Sequence, residues 1–228
     1  MKTIAIVGAG IGLGLSLAKK FGAEGFKVAA ISRNAEKLKV IHEDLSNLNI
    51  EVKTYVSDIV DLESLKQTIQ SIKADFGSID VIEFSPNAKE QQFTNILETT
   101  PESVSEILNS YLYPAIQLVN EVLPDMINKG TGSILFTTGV ATIFPLPFAG
   151  NAGIIGSGLR SYAENLYNAV ENKGIFVRHL SIGTAIESGT LGDPDTIAKA
   201  WYDLYTTKGK FEETFPQGIK KIRYDLNS

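Results

Sequence analysis

The sequence contains no cysteine, two histidines and one tryptophan among its 228 residues. The absence of cysteine excludes disulfides, thiolate catalysis and cysteine-ligated zinc. His42 and His179 lie far apart in the chain, so we expect no histidine-rich site and no bound metal. No apolar run approaches the roughly 20 residues that span a bilayer. We therefore expect no membrane association.

Charge is also modest, at 21% of residues with a net value of −5. This balance gives no general attraction to nucleic acid or to an anionic membrane, and we expect neither as a partner. The apolar run at residues 4–7 is shorter than the apolar segment of a signal peptide, which indicates a buried strand and a cytoplasmic protein. The length suits one sizeable domain.

Short apolar runs typical of strands alternate with helical patterns along the chain. Strands are predicted at residues 4–7, 27–31, 51–56, 81–84, 133–137 and 176–180. Helices are predicted at residues 12–24, 35–47, 62–76, 101–128, 152–172 and 194–206. Residues 208–221 show little periodicity and are expected to pack over the substrate side or the surface. The alternation predicts one α/β domain over residues 1–228, with a doubly wound, mostly parallel sheet and helices on both faces.

A glycine-rich turn joins the first predicted strand to the first helix. It contains Gly8, Gly10, Ile11, Gly12 and Gly14. In this context the glycines permit a tight turn, close approach of the backbone to a pyrophosphate, and packing of helix on strand. The helix N-terminus then presents free N–H groups to the phosphates. The turn therefore predicts a Rossmann-type dinucleotide site, the alternative being a turn without a ligand.

The ends of the second and third strands bear on which dinucleotide is bound. Ser32 and Arg33 stand where an NAD site usually places an acidic residue, and a guanidinium suits the 2′-phosphate of NADP. We therefore expect NADP(H), with NAD(H) kept open, unless Arg33 is only a solvated loop residue. Asp58 and Ile59 follow the third strand, where a side chain can accept from adenine. Asp58 could instead cap the next helix, a role for which Asp61 competes.

These motifs resemble the short-chain dehydrogenase/reductase family over nearly the whole chain. Gly8, Gly12 and Gly14 match its TGxxxGxG loop, with Val7 in place of the threonine. Arg33 matches its NADP-preferring position.

Further matches to the family follow the later strands. Asp58 matches the adenine-side aspartate, and residues 84–87 (Phe-Ser-Pro-Asn) stand at the NNAG motif. The resemblance implies that Pro86 lines the cofactor. Ile182 and Gly183 stand where the family usually has a Pro-Gly pair. The resemblance implies that Gly183 and Ile186 line the cofactor, with the backbone of residues 184–186 approaching the nicotinamide carboxamide.

The catalytic positions of the family match less well. Its mechanism uses a serine after the fifth strand, a tyrosine 13 residues later and a lysine four beyond that. Thr138 falls at the serine position, Asn151 at the tyrosine and Ile155 at the lysine. Tyr111 stands where the family has a helix asparagine, although Asn109 is two residues away.

A shifted register does not restore the pair, because residues 139–171 contain no lysine. The tyrosines there are Tyr162 and Tyr167. Tyr162 would lie about 16 Å beyond Asn151 along the helix, out of reach of the nicotinamide. Arg160 is out of phase with Asn151 and is expected to face elsewhere. The chain therefore resembles an atypical member that lacks the Tyr-x-x-x-Lys pair.

We weigh three functions for such a chain. One is a divergent NADP(H)-dependent oxidoreductase for an unknown small molecule, in which Thr138 and Asn151 donate hydrogen bonds to a developing oxyanion. A neutral amide delivers no proton, so water, substrate or Tyr111 must do so. A second is a catalytically inactive NADP(H) sensor or regulatory protein, and a third is a structural subunit.

Four other features carry weaker predictions. His179, in an apolar strand, is interpreted as a packed residue rather than a catalytic one. Glu83, near the end of the fourth strand, could be an acid of raised pKa or could pair with a lysine. Residues 144–148 (Phe-Pro-Leu-Pro-Phe) are expected to form an apolar wall over the substrate or a rigid surface loop. Glycines at 153, 156 and 158 suggest close packing of another backbone. The family resemblance implies pairing through the helices at 101–128 and 152–172, and we predict a homodimer or homotetramer.

Overall fold

Seven parallel strands form one sheet in the computed structural model, which describes residues 1–86, 93–207 and 209–219. The strands are β1 (Thr3–Val7), β2 (Lys27–Ser32), β3 (Val52–Val56), β4 (Val81–Phe84), β5 (Gly132–Gly139), β6 (Ile175–Ile182) and β7 (Glu212–Phe215). Their order across the sheet is β3-β2-β1-β4-β5-β6-β7. The predicted doubly wound, parallel α/β fold is thereby confirmed.

The strand order reverses between β1 and β4, which are neighbours in the centre of the sheet. Val7, at the end of β1, lies opposite Ile31 of β2 on one side and Phe84 of β4 on the other. Connections leave this point in opposite directions, so a crevice opens beyond the carboxyl ends of the strands. Open α/β sheets bind their ligands at this place.

Helices cover both faces of the sheet. They are α1 (Leu13–Ala23), α2 (Ala35–Asn47), α3 (Leu62–Phe76), α4 (Pro101–Ile107), α5 (Tyr113–Lys129), α6 (Gly150–Val170) and α7 (Pro194–Thr206). Successive strand residues point to opposite faces, so Ile4 and Ile6 join a core with α1, α2 and α7, whereas Ala5 and Val7 join a core with α3, α5 and α6. The near-continuous apolar strands of the sequence reflect burial on both sides.

The helix predicted over residues 101–128 is interrupted in the structure. A π-helical turn at Leu108–Leu112 separates α4 from α5, and the amide of Tyr113 donates to the carbonyl of Leu108, five residues earlier. Pro114 follows directly and has no amide proton for a regular helical bond. The proline therefore accounts for the wider turn.

Residues 208–221, which show little periodicity in the sequence, include a strand that the sequence did not predict. Glu212–Phe215 form β7, which pairs with β6 and places Glu212 opposite His179. The strand has four residues and begins with two glutamates, too short a stretch for alternation to be visible in the sequence.

The described residues contain neither a helix suited to span a membrane nor a cluster suited to bind a metal. No helix among them has both the length and the apolar character needed to cross a membrane. Within the same residues, histidine, aspartate and glutamate side chains form no group of three suited to a metal.

Candidate functional site

The glycine-rich loop follows β1 at the switch point, and two of its glycines are required by packing inside the chain. Gly8 has φ = 91°, and a Cβ there would lie 2.6 Å from the Cα of Pro86. A Cβ on Gly14 would lie 2.8 Å from the Cα of Ala9. These glycines hold the loop against the end of β4 and hold α1 against the loop.

The other two glycines face open space. A Cβ added to Gly10 or Gly12 would meet no atom of the chain within 4 Å. Helix α1 begins after Gly12 with no side-chain cap, and Ile11 between the glycines is exposed. An uncapped helix N-terminus beside vacant volume is suited to an anion, since its N–H groups and its dipole favour negative charge. The loop thus fits a pyrophosphate on the side that the protein leaves open.

Arg33 and Asp58 meet at the ends of the adjacent strands β2 and β3. The Nη1 atom of Arg33 lies 4.0 Å from Oδ2 of Asp58, and both side chains are about half exposed, at 51% and 48%. An exposed ion pair of this length contributes at most about 1 kcal/mol. A bound phosphate can therefore compete with Asp58 for the guanidinium.

The neighbouring helix caps are supplied by other residues. Asn34 accepts from the amide of Lys37 and caps α2, while Asp61 accepts from the amides of Glu63 and Ser64 and caps α3. Asp58 accepts instead from the amide of Val60. Of the two cap candidates in the sequence, Asp61 and not Asp58 is therefore the N-cap of α3. Ser32 is half-buried and accepts from the amide of Asn34, and Ile59 packs against the core.

Pro86 lies between the glycine loop and the π-helical turn. The hydroxyl of Tyr111 donates to the carbonyl of Pro86 over 2.7 Å, and the ring of Tyr111 packs edge-on against Phe84. Tyr111 therefore reaches the carboxyl edge of β4. Asn87, the last residue of the NNAG-like stretch, lies outside the described residues.

Thr138 lies near the end of β5 and contacts two polar side chains of β6. Its Oγ1 atom is 2.8 Å from Nε2 of His179 and 3.0 Å from Oγ of Ser181. Thr138 is 8% exposed, whereas His179 is fully buried. The side chain at the family's serine position is thus joined to an imidazole.

The other nitrogen of His179 is bound by Glu212 of β7. The Nδ1–Oε2 distance is 2.8 Å, and Arg160 of α6 binds both carboxylate oxygens, at 2.5 and 3.1 Å. Burial would raise the pKa of Glu212, but the hydrogen bonds from His179 and Arg160 outweigh burial and lower the pKa to about 2. The carboxylate is ionised at neutral pH. Arg160 faces β7, away from the position expected for a family lysine.

Sequence reasoning interpreted His179 as a packed residue and did not identify Glu212. The signal available for His179 was a polar side chain in a largely apolar strand. Glu212 had none, because its strand was not predicted and its pairing with β6 is a long-range feature.

Asn151, at the family's tyrosine position, is directed towards the segment that follows β4. Its Oδ1 accepts from the amide of Thr94 at 2.9 Å, and its Nδ2 donates to the carbonyl of Ser103 at 3.5 Å. The amide of Gly150 also donates to the carbonyl of Thr94. Asn151 therefore fastens residues 93–103 over the start of α6, and its described contacts do not include Thr138.

Ile155 and Tyr162 belong to the packed face of α6. Ile155, at the family's lysine position, is 4% exposed. The ring of Tyr162 packs edge-on against Phe136 of β5, and burial raises the pKa of its hydroxyl. Both side chains therefore serve the packing of α6 against the sheet.

Glu83 lies on the opposite face of the sheet from His179, under α7. Its carboxylate accepts from the hydroxyls of Thr137 (2.6 Å) and Ser85 (2.9 Å), and Thr137 accepts from Nε1 of Trp201. Burial raises the pKa of Glu83 to about 7, although both hydroxyls act in the opposite direction. The sequence left open whether Glu83 pairs with a lysine; its carboxylate instead binds these two hydroxyls.

Gly183 and Ile186 follow β6 at the same edge of the sheet. The amide of Gly183 donates to the carbonyl of Phe215, and a Cβ there would lie 3.3 Å from Cβ of Val140. Ile186 is 45% exposed. This segment therefore borders the carboxyl edge beside the turn that follows β5.

The glycines of α6 do not all require a partner chain. A Cβ on Gly156 would collide with the side chain of Thr142 in the same chain, which accounts for this glycine. Cβ atoms on Gly153 and Gly158 would make ordinary contacts, at 3.5 and 3.9 Å.

Residues 144–148, predicted as an apolar wall or a rigid surface loop, precede α6. In this segment the side chain of Phe148 is 55% exposed.

Comparison with known proteins places this architecture in a family. A family model described as short chain dehydrogenase matches residues 2–187. The cis-2,3-dihydrobiphenyl-2,3-diol dehydrogenase of Paraburkholderia xenovorans is 30% identical over 149 residues, which cover 63% of this chain and 52% of that protein. The chain spans between 52% and 62% of the length of five such curated relatives.

Solved structures show the same fold. A short-chain dehydrogenase from Rhodopseudomonas palustris aligns with a TM-score of 0.79 and 27% identity, covering 93% of this chain and 97% of that one. A metagenomic short-chain oxidoreductase in complex with NADP aligns with a TM-score of 0.81 and 20% identity, covering 93% and 96%. The parallel sheet, the glycine loop at its switch point and the match over residues 2–187 lead to one conclusion: the chain belongs to the short-chain dehydrogenase family of oxidoreductases.

Proposed function

We propose that the chain is an NADP(H)-dependent oxidoreductase that acts on a small molecule through a site without the Tyr-x-x-x-Lys pair. The division of the glycine loop carries this proposal. Gly8 and Gly14 are fixed by contacts within the chain, whereas Gly10 and Gly12 border vacant volume at an uncapped helix N-terminus. The fold accounts for the first two glycines, and a bound pyrophosphate accounts for the other two.

The cofactor would be held by groups along the carboxyl edge of the sheet. The backbone of Gly10, Ile11 and Gly12 would bind the pyrophosphate, and Arg33 with Ser32 would bind the 2′-phosphate of NADP.

The remaining contacts to the cofactor would come from later loops. Asp58 and Ile59 would line the adenine, and Pro86, Gly183 and Ile186 would line the nicotinamide. When bound, NADP(H) supplies or accepts a hydride. NADP in the metagenomic relative supports this cofactor, as does Arg33 at the end of β2.

Three side chains are candidates for the chemistry at the substrate. Thr138 has a hydroxyl at the end of β5 with an imidazole behind it. Asn151 and Tyr111 already bind backbone groups, so each would have to exchange those bonds for a bond to substrate. Thr138 is therefore the first candidate to contact the reacting oxygen.

Turnover tests this proposal. Carbonyls, quinones, enones and imines are incubated with NADPH, and oxidation is followed by the loss of absorbance of the reduced nicotinamide. We expect activity with at least one class, and loss of activity in Gly10→Ala, whose new methyl group enters the vacant volume without touching the chain. Inactivity of the unmodified protein towards every class would contradict the enzyme assignment.

An inactive NADP(H) sensor is the second candidate function. Its support is the engagement of Asn151 and Tyr111 with backbone groups, together with the absence of the family's tyrosine and lysine. Tight NADPH binding without turnover, combined with cofactor-dependent capture of a protein partner, is the outcome that favours this function.

We also propose that the chain forms a homodimer or homotetramer through the surface of α4, α5 and α6. Tyr113 on α5 and Ile154 on α6 are 47% and 49% exposed, and Gly158 lies one helical turn beyond Ile154 on the same helix. Exposed apolar side chains on adjacent helices support such an interface.

A further inference from the structure

Thr138, His179 and Glu212 form a continuous chain of hydrogen bonds across three strands. The two contacts to the imidazole are each 2.8 Å long, one at each ring nitrogen. Arg160 fixes the far end by binding both oxygens of Glu212. A hydroxyl, a base and an acidic group that orients the base follow one another in this order.

The charge of Glu212 determines where the protons lie in this chain. A carboxylate accepts hydrogen bonds and donates none, so the proton on the Glu212 side must belong to Nδ1 of His179. In the neutral imidazole, Nε2 is then an acceptor, and the hydroxyl of Thr138 donates to it. The hydroxyl oxygen of Thr138 keeps its lone pairs for Ser181 and for a substrate hydroxyl.

We infer that Thr138 is the proton-transfer residue of this site and that His179, oriented by Glu212, exchanges the proton through it. This inference rests on the proposed oxidoreductase function. His179 is fully buried, so it can act on a substrate only through Thr138, the member of the chain nearest the carboxyl edge. His179 is accordingly a positioning residue and Thr138 the catalytic one.

The atoms balance in both directions. In alcohol oxidation, bound NADP⁺ would supply the acceptor for the hydride of the carbon. The alcohol proton passes to Oγ1 of Thr138, and the proton of Thr138 passes to Nε2 of His179. A carbonyl group and an imidazolium result, and the ionised Glu212 stabilises the imidazolium. In reduction, the imidazolium returns its proton to Thr138, which protonates the carbonyl oxygen. Arg160 of α6, which binds Glu212, also pairs with Glu164 on the same helix.

A spectroscopic arm tests the proton arrangement without cofactor or substrate. The sequence has two histidines, so two-bond ¹H–¹⁵N correlation at pH 7 resolves both imidazoles, with exposed His42 as the internal reference. We expect a proton on Nδ1 of His179, and a shift of the Nε2 resonance in Thr138→Val. An imidazole of His179 without a proton on Nδ1 would overturn the inference. An Nε2 chemical shift that is the same in Thr138→Val as in the unmodified protein would also overturn it.

A kinetic arm separates proton transfer from a structural role. It uses NADPH with whichever carbonyl of the panel above the unmodified protein reduces. In Thr138→Val and His179→Gln, we expect kcat to fall by about 10²–10³, with the Kd for NADPH and KM within about threefold of the unmodified values. Thr138→Ser keeps the hydroxyl and should restore most of kcat, whereas His42→Gln is the matched histidine control and should change nothing.

The outcomes distinguish this inference from the function on which it rests. Turnover that survives both Thr138→Val and His179→Gln overturns the relay and leaves the oxidoreductase intact. An unmodified protein that binds NADPH but turns over no member of the panel overturns the relay together with the proposed turnover. Turnover of other classes without reduction of any carbonyl overturns the relay alone. If His179→Gln does not fold, Thr138→Val, which has nearly the same shape as threonine, decides the question alone.

Discussion

Glu83 offers a stability test whose sign and size follow from its surroundings. The carboxyl group is fully buried between β1 and β5 and has two hydroxyl partners, which do not compensate the loss of water around a charge. Burial raises its pKa from 4.5 to about 7. Glu83→Gln keeps the shape of the side chain and removes the titration.

The raised pKa makes the folded protein less stable as pH increases. Between pH 4.5 and about 7, the folded state holds a proton that the unfolded chain has released. The full stability is therefore present below pH 4.5 and is lost as the pH rises through about 7. At about 1.4 kcal/mol per pKa unit, the ionised carboxylate costs about 3 kcal/mol above pH 7.

Urea unfolding of Glu83→Gln and the unmodified protein measures this cost. The single tryptophan, Trp201, reports on unfolding because its indole N–H donates to Thr137 beside Glu83. As the pH rises from 4.5 to 8, we expect the free energy of unfolding of the variant to increase by about 3 kcal/mol relative to that of the unmodified protein. Glu43→Gln, at an exposed glutamate of α2, controls for net charge. The reasoning is refuted if the free energies of unfolding of Glu83→Gln and the unmodified protein differ by the same amount at pH 4.5 and at pH 8.

Three further predictions concern the loop, Asn151 and assembly. Gly14→Ala should lower the free energy of unfolding, measured in urea, by about 1–3 kcal/mol, because the new Cβ meets the backbone of Ala9. Gly10→Ala should leave the free energy of unfolding unchanged and weaken NADPH binding. The reverse pattern would contradict the proposed roles of the two glycines. Asn151→Ala should cost about 1 kcal/mol by removing the acceptor of the half-buried amide of Thr94, and protease cleavage within residues 93–103 should accelerate. An unaltered cleavage rate would show that Asn151 does not fasten this segment. Light scattering at micromolar concentration should give at least a dimer, and a monomer would remove the proposed interface.

The fold could be predicted from the sequence because its signals are local. Apolar runs, helix periodicity and the glycine turn between residues 8 and 14 each lie within a few residues of chain. The π-helical turn before Pro114 and the short strand Glu212–Phe215 were missed. One depends on how a helix accommodates a proline, and the other depends on pairing with a strand about 30 residues earlier.

The candidate site could be predicted only in part, because its chemistry depends on long-range contacts. The glycines and Arg33 were predicted as cofactor residues from their positions after strands. The family resemblance suggested Asn151 as a hydrogen-bond donor to substrate, and no local pattern indicated that its side chain also binds Thr94 and Ser103. Likewise, no local pattern joins His179 to Glu212, which meet only when β7 pairs with β6.

Calorimetric titration with NADP⁺ and NAD⁺ tests most directly the claim that this loop holds a phosphorylated dinucleotide. We expect NADP⁺ to bind at least about tenfold more tightly than NAD⁺, a difference of about 1.4 kcal/mol, and Arg33→Ala to lose that preference. Lys39→Ala, at an exposed lysine of α2, is the charge-matched control and should keep the preference. Equal affinity of the unmodified protein for the two dinucleotides would contradict the role of Arg33, and binding of neither would contradict the site itself.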